Sequence, residues 1–116
     1  MPFLGEAAPG IAEPLLAERL RAHVARLAGE IGERNVWRPA ALHAAARYIS
    51  EQWQALGYAV AAQPCRTHGL TCENLEITIP GVRCPKEIVL AGAHYDSVRG
   101  SPGANDNASG VAALIR

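Results

Sequence analysis

Aspartate is scarce in this chain of 116 residues: nine of the 11 acidic residues are glutamates, and the two aspartates, Asp96 and Asp106, share one short segment with His94. That segment reads Gly92-Ala-His94-Tyr-Asp96-Ser-Val-Arg-Gly-Ser-Pro-Gly103-Ala-Asn-Asp106-Asn-Ala-Ser109-Gly110. His94 and Asp96 stand at i and i+2 at the end of an extended run, so both side chains leave on the same face. A histidine that ligates a metal through one ring nitrogen commonly gives its other N–H to a carboxylate, which fixes the tautomer and raises basicity. His-x-Asp can supply that pairing. Asp106 follows a loop in which Gly100 and Gly103 permit the chain to turn back towards His94. Its two oxygens can serve two ions, and a bridging carboxylate with a histidine on one side is how a two-metal hydrolase site begins.

Elements must hold these groups in place. Residues 1–12, rich in Pro, Gly and Ala and without a period, are expected to form a flexible arm, and residues 13–116 a single domain portion. From Glu13, the apolar residues Leu15, Leu16, Leu20, Val24, Leu27 and Ile31 recur at helical spacing and Gly32 follows, which predicts an amphipathic helix of about 18 residues. A second helix is expected from Arg38-Pro39 through Leu42, Ala46, Ile49, Trp53 and Leu56 to Gly57. Extended segments then take over, with strands expected at Tyr58–Pro64, Leu75–Ile79 and Glu87–Ala93. The last is apolar on both alternating faces, the pattern of an interior strand covered on both sides. Ser109 onward reads as the opening turns of a helix. The order helix-helix-strand-strand-strand-helix predicts the front part of a layered α/β domain, and functional groups in open α/β sheets gather beyond the carboxyl ends of strands.

The two-part motif Gly92-Ala-His94-Tyr-Asp96-Ser and Gly103-Ala-Asn-Asp106-Asn-Ala-Ser-Gly110 resembles the signature of the co-catalytic two-zinc aminopeptidases, the family of aminopeptidase Y and glutamate carboxypeptidase. Glu73-Asn74-Leu-Glu-Ile-Thr-Ile-Pro80-Gly81 and Glu87-Ile-Val-Leu90 are similar to the same family, and the resemblance runs from about residue 38 to the end. It implies the N-terminal part of a three-layer α/β/α zinc-peptidase domain with a mixed central sheet, truncated. It also implies that His94 ligates one zinc, that Asp106 bridges two, that Asp96 serves catalysis by orienting His94, and that a non-proline cis peptide joins Asp106 to Asn107. The implied activity is hydrolysis of peptide bonds by a two-zinc-activated water. The family's glutamate pair, further acidic ligand and final histidine have no counterpart here. A catalytic zinc usually has three protein ligands. Zinc binding by this chain alone is therefore expected to be weak or absent and the chain inactive by itself. The alternative is a non-catalytic truncated remnant or association module, and self-association is expected from an apolar sheet face left open.

Other classes fit poorly. With 11 basic and 11 acidic residues spread along the chain, nothing forms the basic patch that nucleic acid or an anionic membrane surface needs. No apolar run approaches the roughly 20 residues of a membrane span. A calcium loop fails at its twelfth position, where Arg116 stands for a bidentate glutamate, and a phosphate loop lacks its Lys-Ser/Thr end. Peptide is the expected substrate. Cys65, Cys72 and Cys84 have no zinc-site spacing. Reduced thiols and a cytoplasmic location are expected because no secretory signal is visible, while Cys65 and Cys72 could pair if the protein is secreted. His23 and His43 are expected at the surface or boundary, and Trp37 and Trp53 in packed positions.

Overall fold

The computed structural model describes residues 13–116, so the arm expected over residues 1–12 lies outside the described residues. Helix α1 spans Glu13–Val24 and continues as a wider π-helical stretch over Ala25–Ile31. Gly32 ends it with φ +77, a left-sided conformation that suits glycine, and gives its N–H to Leu27 O at 3.0 Å. Helix α2, Pro39–Ala55, begins on the proline that needs no N–H partner in a first turn. Its buried residues Leu42, Ala45, Ala46, Ile49 and Trp53 follow the 3.6-residue period and form one face. Helix α3, Ser109–Ile115, buries Val111, Ala112 and Ile115. Leu27, Ala45, Ile49, Trp53, Ala108, Val111 and Ile115 meet as one apolar core. Both long helices stand where periodicity places them, and most of the α2 stripe is buried, but of the first stripe only Leu27 is buried, with Leu15 exposed and the rest half-buried; Leu56, at the end of the second stripe, is exposed.

Strands β1, Ala61–Thr67, and β2, Leu70–Glu76, form an antiparallel hairpin in register from Ala61↔Glu76 to Thr67↔Leu70. They lie closer to the connecting turn than the expected Tyr58–Pro64 and Leu75–Ile79. The register is set at His68-Gly69, where φ is positive at both residues (+49 and +75), as a two-residue type I′ turn requires. All of β1 is exposed, so no buried apolar run marks it. Cys65 and Cys72 stand directly opposite each other across the ladder, and both thiols are free.

The third expected strand needs correcting. Glu87–Ala93 belongs to no helix or ladder among the described residues, and Ile88, Val89 and Leu90 are 87%, 96% and 89% exposed. An interior strand exists only between two neighbours, and among the described residues no strand pairs its N–H and C=O groups. The described residues therefore combine helices with a two-stranded antiparallel sheet, consistent with an α/β class. No helix among them is long and apolar enough to cross a membrane.

His23 and Trp37 also depart from expectation. Trp37 is 57% exposed, with the Arg99 guanidinium 5.1 Å above its ring, while Trp53 is buried as expected. His23 is buried, its Nδ1 2.6 Å from the Tyr48 hydroxyl and its Nε2 without a partner among the described residues. Protonation would put a charge and a second N–H into that site, and burial, then the nearby Arg116, holds the pKa of His23 below its ordinary value. With the folded pKa depressed, the unfolded chain binds the proton first as pH falls. Stability supplied by neutral His23 is thus present above about pH 6.5 and lost below it. Urea midpoints between pH 5 and 8 should fall on acidification more steeply for the wild-type chain than for His23→Gln. Parallel curves would refute this.

Candidate metal centre

From Ala93 the chain alternates in and out. Ala93 and Tyr95 are partly buried and Ser97 is fully buried, whereas His94 and Asp96 face solvent. Tyr95 packs against the apolar core and its hydroxyl donates to Glu73 O on β2 at 2.6 Å. Burial raises its pKa to about 12, so it remains a neutral donor. Anchoring Tyr95 inward forces its two neighbours outward, which is how one extended segment presents His94 and Asp96 together.

The return of Asp106 depends on Gly103. Its φ is +62, and a Cβ there would lie 2.7 Å from both Asp106 O and Ser97 Cβ. Gly103 N–H is held by Ser101 Oγ at 3.1 Å, and Ala108 N–H donates to Gly103 O at 3.0 Å. Within the turn Ala104–Ala108, Asp106 and Asn107 leave helical dihedrals and the peptide bond between them is cis. Ser109 Oγ then closes onto Asn105 O at 2.8 Å as α3 begins.

The outcome is a histidine between two carboxylates. His94 Nδ1 lies 3.1 Å from Asp96 Oδ1, and His94 Nε2 lies 3.0 Å from Asp106 Oδ1. All three side chains are more than half exposed. Partial desolvation opposes the imidazolium, but the hydrogen bonds to Asp96 and the charges of Asp96 and Asp106 outweigh it and raise the pKa of His94. A neutral imidazole can donate through one nitrogen only. With Nδ1–H given to Asp96, the Nε2 lone pair faces Asp106.

That pair of atoms suits one shared cation. Two ligands on a tetrahedral zinc, each about 2.0–2.1 Å from the ion, stand about 3.3 Å apart, close to the separation of Nε2 and Oδ1. Imidazole and carboxylate are both ordinary zinc donors. The second Asp106 oxygen has no hydrogen-bond partner among the described residues. No set of three metal-binding side chains converges among them. The other histidines lie elsewhere: His43 donates to Thr71 O, His68 occupies the hairpin turn beside Trp37, and His23 is internal.

Arg34 has no place in the expectations drawn from motif and period, yet it is 0% exposed beneath this centre. It sits in the aperiodic stretch between Gly32 and α2, and no spacing rule marks it. A charged residue in a short connection ordinarily faces water.

Residues 74–116 match the model of peptidase family M28. Over 99 residues the chain is 33% identical to leupeptin-inactivating enzyme 1 of Streptomyces exfoliatus, an alignment covering 83% of this chain and 22% of that enzyme. No solved structure matches the chain.

Proposed function

Over residues 74–116 the chain belongs to peptidase family M28, a family of zinc-dependent hydrolases, and from that premise we propose that it carries part of a two-zinc aminopeptidase-type centre. His94 and Asp106 would hold the zinc, and Asp96 fixes the tautomer and direction of His94. The observation that carries this reading is the His94 ring held between Asp96 at 3.1 Å and Asp106 at 3.0 Å. In the same reading, Glu87–Ala93 becomes a strand of a three-layer α/β/α domain with a mixed sheet once neighbours flank it.

Zinc bound there would supply a Lewis acid that lowers the pKa of water and polarises the scissile carbonyl of a peptide substrate. The chain's own residues perform the remaining tasks described. Asp96 accepts Nδ1–H and so leaves Nε2 free to ligate. Asp106 offers one oxygen towards His94 and keeps the other available. Tyr95, locked to Glu73 O, stops the segment from rotating His94 inward.

The chain spans 22% of the length of leupeptin-inactivating enzyme 1, a curated relative it matches, and two ligands fall short of the three that a catalytic zinc takes. We therefore assign these 116 residues a weak zinc site and no turnover of their own. Titrating zinc into the chain while following histidine ring resonances by NMR tests the site. The His94 resonances should move and those of His43 and His68 stay. No movement of His94 at millimolar zinc would remove the proposal, and hydrolysis of an aminoacyl-nitroanilide by the purified chain would remove the claim of inactivity.

A second reading, an association module, is favoured by the exposed apolar run Ile88-Val89-Leu90 and its unpaired backbone. Such an edge is a template for a second copy of the chain. Light scattering on the same preparation decides it, since a monomer at high concentration contradicts self-association.

A further inference from the structure

We infer that Arg34 is the positioning residue of this centre, its buried guanidinium clamping the segment that carries His94 and Asp96 to the turn that delivers Asp106. The inference rests on the metal-centre reading above. Every guanidinium bond goes to a backbone carbonyl. Nε donates to Tyr95 O at 2.5 Å, between His94 and Asp96. Nη1 donates to Pro102 O at 2.5 Å and Nη2 to Gly103 O at 3.0 Å, just before Asp106. Nη1 also reaches Leu27 O at 3.2 Å and Gly32 O at 3.1 Å, which ties both segments to the end of the first helix.

The backbone adds to the same clamp. Arg34 N–H donates to Ser97 Oγ at 3.0 Å, Ser97 N–H donates to Arg34 O at 2.8 Å, and Asn35 Nδ2 donates to Ser97 O at 3.2 Å. A planar fork of five N–H donors can serve carbonyls arriving from three directions, while an ammonium offers donors from a single point. No carboxylate lies within ion-pair distance of the guanidinium among the described residues; carbonyl dipoles make every direct contact, and the Asp96 charge favours the cation from farther off. Burial of an arginine without a carboxylate partner is unfavourable unless its donors are all engaged. Here three of the bonds reach carbonyls beside the candidate site groups and two reach the end of the first helix.

Charge and position predict opposite signs. Removing a cation from beneath a metal site would, by Coulomb repulsion alone, strengthen zinc binding. Loss of positioning would weaken it.

The test uses the full chain with Arg34→Gln, Arg34→Lys, Ser97→Ala and, as a control, Ile49→Val, a core truncation in α2 that carries none of these bonds. Two quantities are read: amide hydrogen exchange at Ser97 and Ala108 without metal, and the zinc response of the His94 ring. Arg34→Gln is expected to speed exchange at both amides and to weaken zinc binding by about ten-fold or more, the scale of loss when a ligand's support is removed. Arg34→Lys should recover part of each. Ile49→Val should lower thermal stability while leaving the zinc response unchanged. If the Arg34 variants do not fold, Ser97→Ala, which removes one bond of the clamp, is expected to give the same two effects at smaller size. Stronger or unchanged zinc binding in a folded Arg34→Gln chain overturns the inference, as does exchange at Ser97 and Ala108 that rises no more than elsewhere. If wild-type His94 ignores zinc, the metal-centre reading fails, and the exchange pattern alone still decides whether Arg34 joins the two segments.

Discussion

His94→Ala is expected to reduce zinc binding by the chain to background, and Asp106→Ala to do the same. Each replacement removes half of a two-donor site, and a single imidazole or carboxylate on a protein surface does not hold zinc. Asp96→Asn is expected to cost less, about 10–100-fold, because it changes the group that orients the ligand while leaving both donors. Its amide can present an N–H to Nδ1, favouring the tautomer whose proton sits on Nε2 and faces Asp106. The three variants therefore form an ordered series, read by calorimetry or by the zinc shift of the imidazole resonances. Equal affinities across the series would mean that zinc binds elsewhere, for instance at His43 or His68. These side chains are largely exposed, and an exposed ion pair adds little to stability. Loss of zinc binding should accordingly come with almost unchanged melting temperature.

The grouping of the candidate site residues was legible in the sequence because its logic is local. The i, i+2 placement of His94 and Asp96 and the glycine-bearing return to Asp106 lie within 19 residues, and the structure brings all three side chains together. Helix α2 was legible for a related reason, since the apolar periodicity of Leu42, Ile49 and Trp53 is itself the buried face, whereas in the first helix only Leu27 of the apolar stripe is buried. Arg34 was not, because the carbonyls of Tyr95, Pro102 and Gly103 that it holds lie 61 to 69 residues away in sequence. Nor was the state of Glu87–Ala93. Its composition records a suitability for burial between neighbours, and only the neighbours determine whether burial occurs. His23 shows the converse, a polar residue drawn inside by a partner, Tyr48, on the facing helix.

Gly103→Ala is expected to cost about 2–5 kcal/mol of stability and to abolish the zinc response with it. Two costs add. The left-handed backbone at φ +62 penalises any Cβ by about 1–2 kcal/mol. The new methyl would also stand 2.7 Å from Asp106 O and 2.7 Å from Ser97 Cβ, with Arg34 Nη2 at 3.3 Å. Backbone shifts forced by overpacking cost about 1–3 kcal/mol. Ser97 cannot yield without loosening its bonds to Arg34, and the Asp106 carbonyl cannot yield without carrying the carboxylate away from His94. Gly100→Ala supplies the comparison: φ there is +88, but nothing lies within 4 Å of the added Cβ, so only the backbone cost applies. With roughly 4–8 °C of melting temperature per kcal/mol in a domain of about this size, the two alanines should be separable by thermal denaturation. Gly100→Ala should keep the zinc shift of His94, while Gly103→Ala should lose it even below its melting transition. Equal melting points for the two variants would show that the Gly103 turn can open without disturbing Ser97 or Asp106, and the close packing between the two halves of the motif would then not be what holds the aspartate in place.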